Sequence, residues 1–453
     1  MMQSVWSGRH VLILGAARQG TALAQYLVQH GAQVTLNDRQ PAEKLVEAMT
    51  ALQHLGGAVR WVCGGHPLEL LDDADLVCVS GGVPLTNPIV IAARERDIPL
   101  SNDSQIFLDA APCKVIGITG SAGKTTTTTL VGRMAEAAIS TVYVGGNIGS
   151  PLIAHVDGMQ PDALAVMELS SFQLEIMTRS PQVAAVLNVT PNHLDRHGTM
   201  HAYLNAKKRI LDFQAPEDVA VLGQDDPGAW GLAPDVHGSL VSFGMRMPEA
   251  GKGVYLQGDA IYYRENGMDT WLLDRSDIAL RGDHNLLNVM AAGAIVKAVG
   301  LPGDAVRAGV ADFTGVPHRL EFVRTWGGAE WYNDSIATAP ERAMAAIRSF
   351  SEPLVLLAGG RDKNLPWEAF AALVRQRVDH LIVFGEAAGK IINVMGSDYP
   401  ATRCSNLREA VQAAAQLVEP GDVVLLSPGG TSFDEFIDFE ERGECFMQLV
   451  MSL

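Results

Sequence analysis

"GITGSAGKTTTTTL" occupies residues 117–130, and its reading decides what kind of chain this is. The apolar run "KVIGIT" (114–119) leads into it as a strand, and "TTTTLVGRMAEAA" (126–138) continues from it as a helix. Between them Gly120, Gly123, Lys124, Thr125 and Thr126 assemble what a phosphate requires. Glycines let backbone N–H groups turn toward phosphate oxygens, the helix N-terminus adds partial positive charge, Lys124 adds a full one, and the Thr125 hydroxyl can ligate Mg²⁺. The strict pattern G-x-x-x-x-G-K-[ST] needs a glycine at position 118, where Ile118 stands; glycines at 117 and 120 make this a P-loop variant. A glycine turn whose threonines only cap a helix is the plainer alternative. Strand before, helix after and GKT between favour a nucleoside triphosphate.

Working outward, "HVLILGAARQGTALAQYLVQHGAQVTLND" (10–38) reads as strand, glycine turn, amphipathic helix and strand, a βαβ unit. Its glycines are Gly15 and Gly20, with Ala17 where a dinucleotide fingerprint has its middle glycine, so the case for NAD is weak. After a strand-like "ADLVCVSGGVP" (74–84) the pattern changes near "IPLSND" (98–103), which bounds a first domain at 1–103. From 104 to 314 the runs "KVIGIT", "ALAVMELS", "AAVLNVT" and "VAVLG" alternate with helix-length stretches, as in a mostly parallel sheet covered by helices. Within that domain "GVYLQGDAIYYRENGMDTWLLD" (253–274) alternates polar and apolar like a small antiparallel insertion. A third alternating block fills 315–453. The fold class expected is α/β in three domains: Rossmann-like, P-loop ATPase with a parallel sheet, and a second Rossmann-like domain.

Composition narrows the partners. The 453 residues carry 34 basic and 51 acidic side chains, and the net charge of -17 disfavours a polyanion such as nucleic acid. No segment offers the ~18 consecutive apolar residues of a membrane span, and the amino-terminal stretch has no signal-peptide core. Five scattered cysteines without metal spacing read as reduced thiols, so a cytoplasmic enzyme acting on small molecules, as a monomer, is expected.

Further motifs follow in order: "GNIGSPL" (146–152), "ELSSFQLE" (168–175), "NVTPNHLDRHG" (188–198), "AKKRI" (206–210), "GDHNLLNVMAA" (282–292), "GVPHRLEFV" (315–323), "YNDSIAT" (332–338), "GGRDKN" (359–364) and "SPGGTSFDEFIDFEERG" (427–443). TGSAGKTT resembles the Mur ligases and folylpolyglutamate synthetases, and with these further motifs the resemblance to the Mur ligases covers nearly the whole chain. "ELSSFQLE" and "SFDEF…FEERG" look like the glutamate-adding branch. The resemblance implies an ATP-dependent carboxylate-amine ligase of peptidoglycan precursor synthesis, which joins D-glutamate to UDP-N-acetylmuramoyl-L-alanine through an acyl phosphate.

The same resemblance implies roles residue by residue. Glu168 and His193, with Thr125, would hold Mg²⁺ at two sites, and Lys207, at the first basic position of AKxRI, would carry a carbamate. A carbamate turns a cation into a carboxylate-like anion that can hold Mg²⁺, and its formation needs a neutral amine, hence a depressed pKa at Lys207. By residue type alone the adjacent Lys207 and Lys208 are an ordinary solvated helix face. Lys124, Glu168, His193, Lys207 and Arg319 would be catalytic. Asn288, Arg319 and Asp334 match nucleotide contacts. Arg18, Gln19, Asp38, Gly82, Asn147 and His193 would hold the uridine diphosphate end, and Thr338, Lys363, Ser432 and Phe439 the amino acid. Ile336 stands where many relatives have lysine, which leaves L-glutamate or another amino acid as the alternative. Two other classes stay open: a nicotinamide oxidoreductase resting on "GAARQG…ND", and a nucleotide-dependent switch that uses the phosphate loop alone.

Overall fold

A computed structural model describes residues 5–362, 365–396 and 398–453. Its strands fall into three sheets. The first runs Val59–Cys63, Gln33–Asp38, His10–Leu14, Leu76–Val79, Leu100–Ser101 from edge to edge, all parallel. Val11 to Leu14 are almost wholly buried, as a strand covered on both faces must be, which is why the sequence there is a continuous apolar run. Strand order reverses between His10–Leu14 and Leu76–Val79, so the turns after these two strands face the crevice where α/β sheets bind ligands.

The second sheet has nine strands in the order Met268–Asp274, Ala260–Glu265, Gly253–Gln257, Ser239–Gly244, Val219–Gly223, Val183–Val186, Lys114–Thr119, Leu164–Glu168, Val142–Gly146. Its parallel part ends at Gly253–Gln257, and the expected insertion continues it as an antiparallel meander. The second hairpin turns at Asn266 and Gly267, both left-handed (φ 53° and 77°), the Asn-Gly pair that a tight hairpin favours. Lys114–Thr119 sits between Leu164–Glu168 and Val183–Val186, so the loop that follows it is flanked by the carboxyl ends of both neighbours.

The third sheet runs Glu321–Trp326, Ala329–Asn333, Val423–Gly429, Leu354–Gly359, His380–Phe384, Ala401–Arg403, with only its first strand antiparallel. Two cores pack on its opposite faces, one around Trp367 and Phe370, the other around Trp331 and Phe446. By compactness the chain forms two units: Met1–Asp277 with Leu287–Ala311, carrying the first two sheets, and Ile278–Leu286 with Asp312–Leu453, carrying the third. No described helix is long and apolar enough to cross a membrane, and the five cysteines are free thiols.

Candidate active site

The phosphate-loop geometry starts from Gly123, whose left-handed φ of 81° turns the chain into the helix Lys124–Glu136. A Cβ there would lie 2.2 Å from Asn288 Oδ1, so glycine also admits the Asn288 carboxamide to the loop. The displaced glycine of the variant motif has a packing cause. A Cβ at Gly117 would meet Pro181 Cγ at 2.4 Å, while Ile118 is fully buried in the sheet. The loop is held in shape by the segment after Val183–Val186. Asn188 accepts from Ala122 N at 2.9 Å and donates back to Ala122 O at 3.1 Å, and Ser121 bonds Thr190 O and the Tyr203 hydroxyl, each at 2.9 Å. Thr126 Oγ1 is buried in the first helical turn and finds no hydrogen-bond partner among the described residues. A buried hydroxyl of this kind needs one, and a ligand oxygen or a water would supply it.

Two ammonium groups converge on this loop. Lys124 Nζ and Lys207 Nζ both donate to Gly120 O at 2.9 Å, and Lys207 reaches Thr119 Oγ1 at 3.3 Å. Lys207 is 1% exposed and lies 4.8 Å from the Tyr203 ring centre. Burial first, then the Lys124 charge, push its ammonium well below the usual lysine range, while Glu168 acts the other way. Lys208, its neighbour, is instead a surface residue paired with Asp212 and Asp235. Glu168 is 1% exposed at the end of its strand; its two oxygens accept from Thr125 Oγ1 at 2.9 Å and Asn147 Nδ2 at 3.0 Å. Lys124 and Lys207, both on Gly120 O, and Thr125 and Asn147, both on Glu168, are thus two hydrogen-bonded groups joined by the chain at Lys124–Thr125. Their donors suit Mg²⁺, a hard cation that takes carboxylate and hydroxyl oxygen and keeps much of its water. Among the described residues no three His, Cys, Asp or Glu side chains gather tightly enough for an all-protein metal cage. His193 has a left-handed φ of 54° and opens the one-turn helix Leu194–His197, its exposed ring edge-on to Phe172 at 5.0 Å.

The turns of the first sheet belong to the same unit. Gly15 is left-handed (φ 104°), and a Cβ on Gly20 would fall 1.9 Å from Gly15 O, so both glycines are required by the turn itself. Asp38 accepts from Ala16 N and Gln40 N, each at 2.9 Å, so its carboxylate orders the turn. Arg18 donates to Gly149 O at 3.4 Å and Gln19 to Gly146 O. Gly82 is exposed at a turn tip with open space around it. The carbonyls on either side of it, Gly81 O and Val83 O, accept from Arg196 at 2.7 and 2.8 Å. Sequence reading missed Arg196; its only signal is a place inside NVTPNHLDRHG.

In the second unit Asp334 is 5% exposed and accepts from Ser427 Oγ at 2.8 Å and Leu320 N at 3.3 Å. Burial pushes its carboxyl up to about 7, against the pull of Ser427 and Arg319. Arg319 is half-buried between the left-handed residues His318 and Leu320. Thr338 and Ile336 share a tight turn, with Thr338 N bonded to Ile336 O at 2.8 Å. Ser432 is buried where the chain leaves the sheet, and Phe439 opens the helix Phe439–Met451 with its ring edge-on to His318 at 6.1 Å. Lys363 lies outside the described residues. A second missed residue is Arg442, 0% exposed: its guanidinium donates to Ser335 Oγ (2.9 Å), Ser335 O (2.8 Å) and Gly430 O (3.1 Å), tying the turn before Thr338 to the loop that carries Ser432.

Comparison with known proteins agrees with this architecture. The families described as "Mur ligase MurD-like, N-terminal domain", "Mur ligase middle domain" and "Mur ligase, glutamate ligase domain" match residues 9–102, 118–296 and 318–430. The UDP-N-acetylmuramoylalanine--D-glutamate ligase of Symbiobacterium thermophilum is 44% identical over 445 residues, covering 97% of each chain. The protein of the same name from Pelotomaculum thermopropionicum is 40% identical over 448 residues, covering 98% of each. Among solved structures, the UDP-N-acetylmuramate-alanine ligase MurC of Thermotoga maritima superposes with a TM-score of 0.62 at 19% identity, over 98% of this chain and 99% of that one. The MurF ligase of Thermotoga maritima in complex with ADP does so with a TM-score of 0.59 at 18% identity, over the full length of both.

Proposed function

The chain belongs to the Mur ligase family, and from that premise we propose that it joins D-glutamate to UDP-N-acetylmuramoyl-L-alanine at the expense of ATP, a cytoplasmic step of peptidoglycan precursor synthesis. The observation that carries the reading is the arrangement around the buried Lys207 and Glu168, in which Lys124 and Lys207 share the Gly120 carbonyl while Glu168 takes Thr125 and Asn147. A mere nucleotide switch has no use for a second buried lysine beside the loop, and a dehydrogenase has no use for the loop.

An amide ligase must make a carboxylate electrophilic. In the proposed reaction a carboxylate oxygen of the alanyl group attacks the γ-phosphorus, the bond to the bridging oxygen of ADP breaks, and an acyl phosphate forms. The neutral amine of glutamate then adds to the carbonyl carbon, inorganic phosphate leaves and the amine proton is lost. Phosphoryl transfer depends on positioning and on charge neutralisation. The turn at Gly120–Gly123 offers N–H groups and a helix N-terminus to the phosphates, and Lys124 offers its charge once it leaves the Gly120 carbonyl. Thr125 is proposed to hold one Mg²⁺, and Glu168 and His193, with Lys207, a second; the ions would neutralise phosphate charge. The amine of Lys207, pushed toward neutrality, is the form that adds CO₂ with loss of a proton, which would remove a cation from beside that metal. Asn288, Arg319 and Asp334 are assigned to the nucleotide, Arg18, Gln19, Asp38, Gly82 and Asn147 to the uridine diphosphate end, and Thr338, Lys363, Ser432 and Phe439 to glutamate.

The test is phosphate release with ATP, Mg²⁺ and UDP-N-acetylmuramoyl-L-alanine, with D-glutamate and L-glutamate in separate reactions. Release that needs D-glutamate is expected. Release only with L-glutamate would keep the mechanism and move the specificity, pointing to Ile336 where a lysine is common. Release with neither would overturn the reading.

A further inference from the structure

The turn at residues 80–83 closes through a bond from Val83 N to Ser80 O of 2.9 Å, which leaves Gly81 and Gly82 at its tip. Ser80 ties it to the first glycine turn, its N–H donating to Leu14 O at 3.0 Å and its hydroxyl to Gly15 O at 3.3 Å. Neither contact fixes the tip. That is done from the second sheet by Arg196, whose fork takes Gly81 O at 2.7 Å and Val83 O at 2.8 Å, one carbonyl on each side of Gly82. The guanidinium is itself aimed, lying 3.8 Å over the ring of Phe172, which stacks on His197 at 5.3 Å with an interplanar angle of 10°. Arg196 also belongs to the helical turn that begins at His193, since its N–H donates to His193 O at 3.1 Å. On the other side of the crevice Gln19 bonds Gly146 O, the residue before the Asn147 that holds Glu168.

We propose that Arg196 is a positioning residue for the UDP-bearing substrate: it fixes the Gly82 turn relative to the His193 turn, and so sets the span between the diphosphate subsite and the phosphate loop. This inference rests on the ligase reading above. A substrate held at both ends gains from the second grip only when the two grips are already spaced to fit it, so loosening one end costs affinity rather than chemistry. Lysine keeps the charge of arginine but lacks the planar fork that spans two carbonyls, so it cannot replace Arg196.

The test compares the full-length wild type with R196K and R196A, varying UDP-N-acetylmuramoyl-L-alanine, ATP and glutamate in turn. The KM for the UDP substrate is expected to rise about tenfold or more in R196A, where two bonds to a charged donor are lost, and about threefold or more in R196K, whose ammonium cannot span both carbonyls. The KM values for ATP and glutamate, and kcat, are expected to stay within about threefold, and methylguanidinium to recover part of the loss in R196A. An unchanged KM for the UDP substrate would overturn the inference, as would kcat and all three KM values shifting together. Calorimetric binding of UDP-N-acetylmuramoyl-L-alanine to wild type and R196K needs no turnover. It therefore tests Arg196 even if wild type releases no phosphate, a result that would count against the ligase reading alone.

Discussion

Asp334→Asn should make the second unit far less sensitive to rising pH. Asp334 is 5% exposed and its carboxyl is pushed up from 3.8 to about 7, burial being the largest cause. A carboxyl that holds its proton more tightly folded than unfolded favours the folded chain at low pH. As pH climbs from the unfolded value through the folded one, the unfolded chain gives up its proton first and folding stability falls; above about 7 the loss is complete. At about 1.4 kcal/mol per pH step the whole loss is about 4 kcal/mol, of which about 3 kcal/mol falls between about pH 5 and 8.5. Asparagine keeps the shape, can still accept from Leu320 N, and can donate to Ser427 Oγ, but it has no charge to bury.

The assay is amide hydrogen exchange of the full-length protein across the paired strands Ala329–Asn333 and Val423–Gly429, where Asp334 N itself bonds Leu426 O at 2.8 Å. Comparing wild type with D334N at each pH cancels the intrinsic exchange rate, provided reclosing outruns exchange. Protection in wild type should fall about 100-fold relative to the variant between about pH 5 and 8.5. Equal pH dependence in the two proteins would refute the reasoning, since it would mean that Asp334 is ionised without cost in the folded chain.

Three further outcomes follow from the geometry. Lys124→Ala should lower substrate-dependent phosphate release by about 100-fold or more while leaving the melting temperature near wild type, because the lost group is a phosphate-facing charge. Gly123→Ala should cost about 1–2 kcal/mol in urea unfolding for its left-handed backbone and should weaken ATP binding in equilibrium dialysis, as the new Cβ displaces the Asn288 carboxamide now 2.2 Å from that position. Arg442→Met should cost about 3 kcal/mol in the unfolding of the second unit, because the Ser335 and Gly430 carbonyls lose a buried donor; a rise in the KM for glutamate should accompany it, as the Ser432 loop loses its tie to the turn before Thr338.

Much of this chain was legible in its sequence because periodicity and glycine placement act locally. The βαβ unit at 10–38, the strand and helix around the phosphate loop and the antiparallel meander at 253–274 all follow from patterns a few residues long. The choice between Lys207 and Lys208 was not legible from residue type, since adjacent helical positions differ only in which way they face. Burial of one and surface pairing of the other separate them. Arg196 and Arg442 were out of reach for a different reason. Their acceptors are backbone carbonyls far away in sequence, 115 residues for the Gly81 contact and 107 for Ser335 O, and a carbonyl has no sequence signature. Asp38 is an intermediate case: its spacing from the glycine turn was readable, while its bond to Ala16 N was not.

The two arginines and the variant glycine lead to one conclusion about the motifs. Gly117 looks like a misplaced member of the phosphate pattern, yet a side chain there would strike Pro181 Cγ at 2.4 Å, so its glycine is owed to packing between the sheet and the segment at 181. Gly123, in the strict pattern, is the one whose left-handed backbone shapes the loop. Arg196 and Arg442 likewise sit inside motifs whose other members are the proposed ligand contacts, but their bonds go to the turns that carry those contacts. A family motif here is a mixture of groups that would touch ligands and groups that hold the first kind in place. The second kind can be recognised by what its bonds satisfy: buried carbonyls and close backbone approaches, each of which costs stability if left unmet.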